Sequence, residues 1–249
     1  MCIIHNEPDG NNINLNCGST HIESLQKFVV ENGADIGFAF DGDADRCLAV
    51  DENGELIDGD KILAICGIYL KEHGRLSGDT VVGTIMSNLG LSVMGSKYGI
   101  NVEQANVGDR YVIEKMLEGG YCLGGEQSGH IIFHDYNTTG DGIVTAIQLL
   151  TVLKERGIKA SELAKVMDVF PQVLVNARVK NEYKTSYMEN TEVREAVIEL
   201  EKKFKGQGRV LIRPSGTEPL VRVMIEGKNI EQMQEDAKKL AAVIEKNLQ

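Results

Sequence analysis

Apolar positions along this chain fall into short runs whose period changes from segment to segment. A helical spacing over Ile22 to Val30 leads into a strand-like run, Ile36 to Phe40. From Asp58 the alternation becomes regular. "KILAICGIYLKEHG" predicts a helix ending at Gly74, "DTVVGTIM" a buried strand, "LSVMGSKYG" a short helix and "INVEQA" a strand. "DRYVIEKMLEGG" brings Val112, Ile113, Met116 and Leu117 to one face and stops at a glycine pair. "YCLGGE" and "HIIFH" read as strands around a glycine-rich loop, and "DGIVTAIQLLTVLKERG" carries Ile143, Ala146, Ile147, Leu150 and Leu153 at helical spacing. Strands alternating with helices predict an α/β layer with a mainly parallel sheet.

The character changes after Met167. "FPQVLVNARV" is a strand preceded by a proline, and "TEVREAVIELEKKF" a helix with Val193, Ala196, Val197, Leu200 and Phe204 on its core face. "RVLIRP" and "LVRVMIEG" are strands joined by a turn. The last helix opens at Asn229 with Gln232 three residues on, and buries Ile230, Met233, Ala237, Leu240, Ala241 and Ile244. That order, β-α-β-β-α, is a small α+β domain. The first 50 residues differ again: a short apolar run, an asparagine-rich loop, and then too few elements to bury a core. The predicted fold class is therefore α/β in three parts. Residues 1–54 are the remnant of one α/β domain whose beginning is expected upstream. Residues 55–167 are a complete α/β domain with a mainly parallel mixed sheet, and residues 168–249 are a C-terminal α+β domain. The linker is expected near Asp168 to Pro171.

Composition narrows the classes. With 42% hydrophobic and 25% charged residues, the chain is an ordinary globular sequence. No apolar run approaches the roughly 20 residues needed to span a membrane, and "MCIIHNEPDG", without a basic n-region and with only a very short apolar patch, is not expected to be a signal peptide. Five scattered cysteines without a CxxC pair argue against a disulfide framework or a zinc site, so a reducing cytoplasm is expected. A net charge of −11 speaks against general nucleic-acid binding. An anionic substrate would have to be held by local arginines against that field.

Three loops carry candidate chemistry. In "DGDADR", Asp41, Asp43 and Asp45 alternate with Gly42 and Ala44 and are followed by Arg46. Extended, such carboxylates stand roughly 6.5–7 Å apart per step, so they meet on one ion only if the chain curls. All-oxygen ligation suits Mg²⁺ or Ca²⁺. An EF-hand is rejected, because its sixth position needs glycine and here is Arg46, and because the flanks read as strands. A phosphatase with an aspartate nucleophile fits the local pattern, and the triplet alone leaves open a plain acidic turn. The second loop, "GGEQSGH", offers Glu126, Gln127 and Ser128 for sugar hydroxyls or an amine, and His130 as a proton carrier. In the third, "RPSGTEPLVR", Arg213, Ser215, Thr217 and the Gly216 amide would surround a phosphate. Arg222 would add a second positive charge or pair with an acid; a simple hairpin turn is the competing reading.

Together, in this order, the three loops resemble those of the α-D-phosphohexomutase family, and within it the phosphoglucosamine mutase branch. "DGDADR" is similar to its metal loop, "GEQSGH" to its sugar loop and "RPSGTEP" to its phosphate loop. "EPDGNNINLNCGSTH", "GTIMSNLGL" and "NVGDRYVIEKM" look like the same branch. The resemblance implies four domains around a cleft, and a phosphoserine, in a loop resembling TASHN, that exchanges its phosphoryl group with the sugar. The implied reaction converts glucosamine 6-phosphate to glucosamine 1-phosphate through a bisphosphate, on the way to peptidoglycan precursors. It further implies Mg²⁺ on Asp41, Asp43 and Asp45, with a phosphoserine oxygen as the remaining ligand and Arg46 beside the same phosphate. Glu126, Gln127 and Ser128 would bind the sugar, with His130 as general acid or base. Arg213, Ser215, Gly216, Thr217 and Arg222 would hold the phosphate that is not reacting. No TASHN-like loop occurs in these 249 residues. The expectation is therefore that the chain alone does not turn over. Its expected partners are a phosphorylated amino sugar and an N-terminal serine domain, with a homodimer as another way to cover apolar surface in residues 1–50; no nucleic acid and no membrane are expected. A phosphomannomutase/phosphoglucomutase, or a non-catalytic module that binds Mg²⁺ or a sugar phosphate, is the alternative.

Overall fold

The strand that ends at the aspartates belongs to a three-stranded antiparallel sheet, β1 (Ile36–Phe40), β2 (Cys47–Asp51) and β3 (Leu56–Ile57), in that spatial order. Helix α1 (Glu23–Asn32) precedes it, packs on β1 and stops at the left-handed Gly33. The computed structural model describes all residues, Met1–Gln249, and clusters into two units, Met1–Asp168 and Val169–Gln249. Each is described by itself.

In the first unit, α2 (Gly59–Glu72) is capped by Asp58, whose carboxylate accepts the Lys61 N–H at 3.0 Å. It is apolar nearly all round, so it becomes the buried central helix. Beside it lies a four-stranded sheet of β4 (Thr80–Thr84), β5 (Asn101–Ala105), β6 (Leu123–Gly125) and β7 (Ile131–Phe133). The order is β5-β4-β6-β7; β4 runs parallel to β5 and β6, and β7 is antiparallel to β6. Crossover helices are α3 (Leu89–Tyr98) and α4 (Asp109–Gly119), followed by α5 (Gly142–Arg156) and a short α6 (Ala160–Ala164). Ala49 and Ile57 of the small sheet share one core with Ile62, Leu63, Val81, Leu123, Ile131 and Leu149. The two sheets of this unit are therefore held by common apolar burial.

Several details differ from the sequence reading. Strand β4 ends at Thr84, because Ser87 folds back: its hydroxyl accepts the Thr84 N–H at 3.1 Å and its own N–H reaches the Thr84 carbonyl. β3 and α6 were not anticipated, being two and five residues long and too short to show a period. The apolar run at Cys2–Ile4 is neither strand nor helix, and Met1, Ile3, Ile13 and Leu15 are exposed.

The second unit follows the β-α-β-β-α order: β8 (Gln172–Arg178), α7 (Thr191–Phe204), β9 (Gly208–Pro214), β10 (Leu220–Gly227) and α8 (Ile230–Leu248). Its sheet is antiparallel with β10 in the centre. Asn190 and Asn229 cap the two helices, accepting the N–H groups of Val193 and Gln232. Val193, Val197, Leu200, Met233, Leu240 and Ile244 pack against Val221, Val223 and Ile225. Alternation along β10 then sends Arg222 to the opposite face. Ile225 is fully buried in this core. Ile225→Ala is expected to cost about 2–5 kcal/mol, read as a lower urea midpoint at unchanged slope. No helix in either unit is long and apolar enough to cross a membrane.

Candidate functional site

The antiparallel pairing Phe40↔Cys47 leaves residues 41–46 as the loop between β1 and β2. The curl that three convergent carboxylates require is present. Ala44 sits at φ 57°, a left-handed conformation uncommon outside glycine, and its N–H closes a turn on the Asp41 carbonyl at 3.2 Å. Oxygens of Asp41, Asp43 and Asp45 consequently all lie within 4.8 Å of one another. A Cβ at Gly42 would lie 2.4 Å from Ile13 Cγ2, so a larger residue there requires the exposed Ile13 side chain to move. The Arg46 N–H donates to Asp41 Oδ1 at 3.2 Å, and its Nε lies 3.5 Å from Asp41 Oδ2 and 3.9 Å from Asp45 Oδ1.

One guanidinium does not balance three carboxylates. Burial, and after it the neighbouring Asp45, pushes the Asp41 carboxyl above its usual range. Burial also acts upward on Asp45, but the hydrogen bond from His130 and the nearby Arg46 guanidinium hold it below its usual range. Asp45 Oδ1 is buried without a hydrogen-bond partner. An all-carboxylate set with an orphaned buried oxygen fits a hard divalent cation.

The second loop is stitched to the first. Residues 126–130 connect β6 to β7, and His130 forms an antiparallel bridge with Arg46 while the Cys47 N–H donates to the Gly129 carbonyl at 3.0 Å. His130 is 3% exposed. Its Nε2 accepts the Gly140 N–H at 3.1 Å, which leaves the ring proton on Nδ1, and Nδ1 donates to Asp45 Oδ2 at 2.9 Å. Both ring nitrogens are thus engaged inside the protein. In this arrangement the imidazole orients a carboxylate of the aspartate cluster, and the expectation that His130 serves as general acid or base is left to the turnover experiment.

The remaining loop residues divide. Glu126 is partly buried, its Oε1 accepting the Gly108 N–H at 2.9 Å, and Ser128 is exposed. Gln127 was expected to contact sugar. Its side-chain amide donates to Asp58 Oδ2 at 3.1 Å and its backbone carbonyl accepts the Gly59 N–H, tying the loop to the start of α2. Gly140, Gly108 and Asp58 were missed as supports. They lie 10, 18 and 69 residues from the groups they hold, so no local pattern could disclose them.

In the second unit, Arg213 and Arg222 are cross-strand partners at the end of the β9–β10 hairpin. Burial, and then the Arg222 charge, lowers the Arg213 pKa. The Arg222 Nε is buried without a hydrogen-bond partner, and its Nη2 lies 3.4 Å from Glu218 Oε2, the pairing with an acid that one of the two readings expected. Ser215 is buried, its Oγ accepting the Glu218 N–H at 3.2 Å with its proton left to donate. Gly216 and Thr217 are exposed, and no intramolecular hydrogen bond takes their N–H groups.

The chain matches three family models: phosphoglucomutase/phosphomannomutase alpha/beta/alpha domain II over residues 4–54, alpha/beta/alpha domain III over 58–170, and the C-terminal domain over 174–243. It is 61% identical over 248 residues to phosphoglucosamine mutase of Acetivibrio thermocellus and 62% identical to that of Ruminiclostridium cellulolyticum. Each alignment covers 100% of this chain and 55% of the relative, so the chain spans about half the length of the curated relatives it matches. Among solved structures it resembles Aspergillus fumigatus N-acetylphosphoglucosamine mutase in complex with GlcNAc-6P and magnesium, with a TM-score of 0.74, 19% identity, and coverage of 95% of this chain and 54% of that one. A phosphoglucomutase/phosphomannomutase family protein from Burkholderia thailandensis gives a TM-score of 0.73 at 22% identity, covering 93% and 52%.

Proposed function

The chain belongs to the phosphoglucomutase/phosphomannomutase family, and on that premise we propose that it forms the metal-, sugar- and phosphate-binding part of a phosphoglucosamine mutase. The observation that carries this reading is its high identity, along its whole length, with proteins of that name. The reaction would interconvert glucosamine 6-phosphate and glucosamine 1-phosphate by way of a phosphoserine and a sugar bisphosphate. We place it in cytosolic amino-sugar supply for cell-wall precursors.

Asp41, Asp43 and Asp45 would hold Mg²⁺, which when bound supplies positive charge against the phosphoryl group. Arg46 adds a guanidinium on the same side, its Nε already within 3.9 Å of two of these carboxylates. His130, locked by the Gly140 N–H, keeps Asp45 turned to its task. Glu126 and Ser128 would bind sugar hydroxyls. Arg213, Ser215, Gly216, Thr217 and Arg222 would hold the distal phosphate through two guanidinium groups, a hydroxyl and two backbone N–H groups.

No TASHN-like serine loop is present among these 249 residues, so we propose that they do not turn over by themselves. The test supplies glucosamine 6-phosphate, Mg²⁺ and glucose 1,6-bisphosphate, and measures the 1-phosphate. The 249-residue chain is expected to give none, and to gain turnover when mixed with the N-terminal half of the Acetivibrio thermocellus relative. Turnover by the chain alone overturns the inactivity. No turnover in the mixture, where the relative's own two halves succeed together, overturns the mutase assignment. Preference for mannose or glucose phosphates in the same assay would move the chain to the phosphomannomutase/phosphoglucomutase activity.

A further inference from the structure

The arginine pair in the second unit leads to a residue that no motif marks. Register sets Arg213 directly opposite Arg222, and like charges in that arrangement repel. Glu218 is the carboxylate that reaches Arg222, and at 58% side-chain exposure it is a weak counter-charge to the pair. A third cation nevertheless approaches the same turn. Lys184 Nζ donates to the Gly216 carbonyl at 3.4 Å.

Lys184 is brought there by its own segment. The Tyr187 hydroxyl donates to the Ile212 carbonyl at 3.1 Å, one residue before Arg213, and so pins residues 183–189 to β9. Tyr183 and Ser186 close consecutive turns, with Tyr183 N–H on the Lys180 carbonyl and Ser186 N–H on the Tyr183 carbonyl. Lys184 lies between these anchors, 32 residues from the glycine it contacts. An ammonium has three donors, and one bond to Gly216 leaves two for a ligand.

We propose that Lys184 is a third cation of this anion site and binds the phosphate monoester that Arg213 and Arg222 hold. Three positive groups against one carboxylate leave a net charge of +2. That balances a monoester dianion, which carries about −1.5 to −2 near neutral pH. The inference rests on reading the 213–222 turn as the phosphate site, and the test separates the two.

Glucosamine 6-phosphate is titrated into the isotope-labelled 249-residue chain, and the Gly216 and Thr217 amide signals report binding. Lys184→Gln is expected to weaken binding about tenfold, in line with one charge-assisted hydrogen bond. Its salt dependence should become shallower, while Lys184→Arg stays within about threefold of the parent. Unchanged binding by Lys184→Gln, with Arg213→Gln losing it, overturns the role of Lys184 and leaves the phosphate site standing. Unchanged binding by both variants overturns the site and the inference together. A weakening that Lys184→Arg fails to restore, accompanied by a lower melting temperature, also overturns it, since a purely structural contact behaves that way.

Discussion

Asp43→Asn is expected to weaken Mg²⁺ binding to the 249-residue chain by at least about 100-fold, and in the reconstituted enzyme to lower kcat by about 10²–10³, the scale of removing one preorganised electrostatic group. Asp43 is the cleanest of the three positions. It is exposed, and unlike Asp41 and Asp45 it accepts no hydrogen bond from Arg46 or His130. The substitution therefore removes a charge while leaving the loop's own bonds in place, and the melting temperature without metal should be unchanged or slightly raised as repulsion falls. Asp41→Asn would confuse the outcome, because the Arg46 N–H uses that carboxylate to close the loop. Calorimetric Mg²⁺ titration separates binding from turnover. If Asp43→Asn binds Mg²⁺ as well as the parent, the triplet is only an acidic turn, and the metal assignment falls with it.

How far the sequence disclosed this site depended on the distance over which each feature is written. Alternate aspartates after an apolar run are a local pattern, and so is the need for a curl. Even the residue that makes the curl, Ala44, lies inside the motif. Helices such as α2 and α8 were equally legible, because their caps and apolar faces repeat within a few residues. What stayed hidden is held together over long separations. Asp45 and His130 are 85 residues apart, and Gln127 and Asp58 are 69 apart. Residue type and motif suggested a proton carrier at His130 and a sugar ligand at Gln127, but neither could disclose the neighbouring carboxylate that each side chain meets. Lys184 shows the same limit from the other side: an unremarked lysine in a surface segment, placed by the anchoring of Tyr187.

The hidden contact between His130 and Asp45 supplies the second large effect. His130→Ala should lower Mg²⁺ affinity about 10–100-fold without touching any of the three carboxylates, as expected when the partner that orients a metal-binding group is lost. Gly140→Ala tests the same idea with the imidazole still present. A Cβ there would lie 2.5 Å from Cε1 and 2.6 Å from Nδ1 and Nε2 of His130, so the ring must shift, and the Nδ1–H would no longer meet Asp45 Oδ2 as it does. The variant should lose about 1–3 kcal/mol of stability from overpacking, and Mg²⁺ affinity should fall alongside that of His130→Ala. His130→Asn, which keeps a short N–H donor on the Asp45 side, should recover part of the affinity. A double variant of His130→Ala with Gly140→Ala should bind Mg²⁺ no worse than His130→Ala alone, because the glycine acts only through the ring it supports. Should His130→Ala bind Mg²⁺ like the parent yet abolish turnover in the reconstituted enzyme, the residue moves protons after all. Its burial between Gly140 and Asp45 would then have to open when the sugar binds.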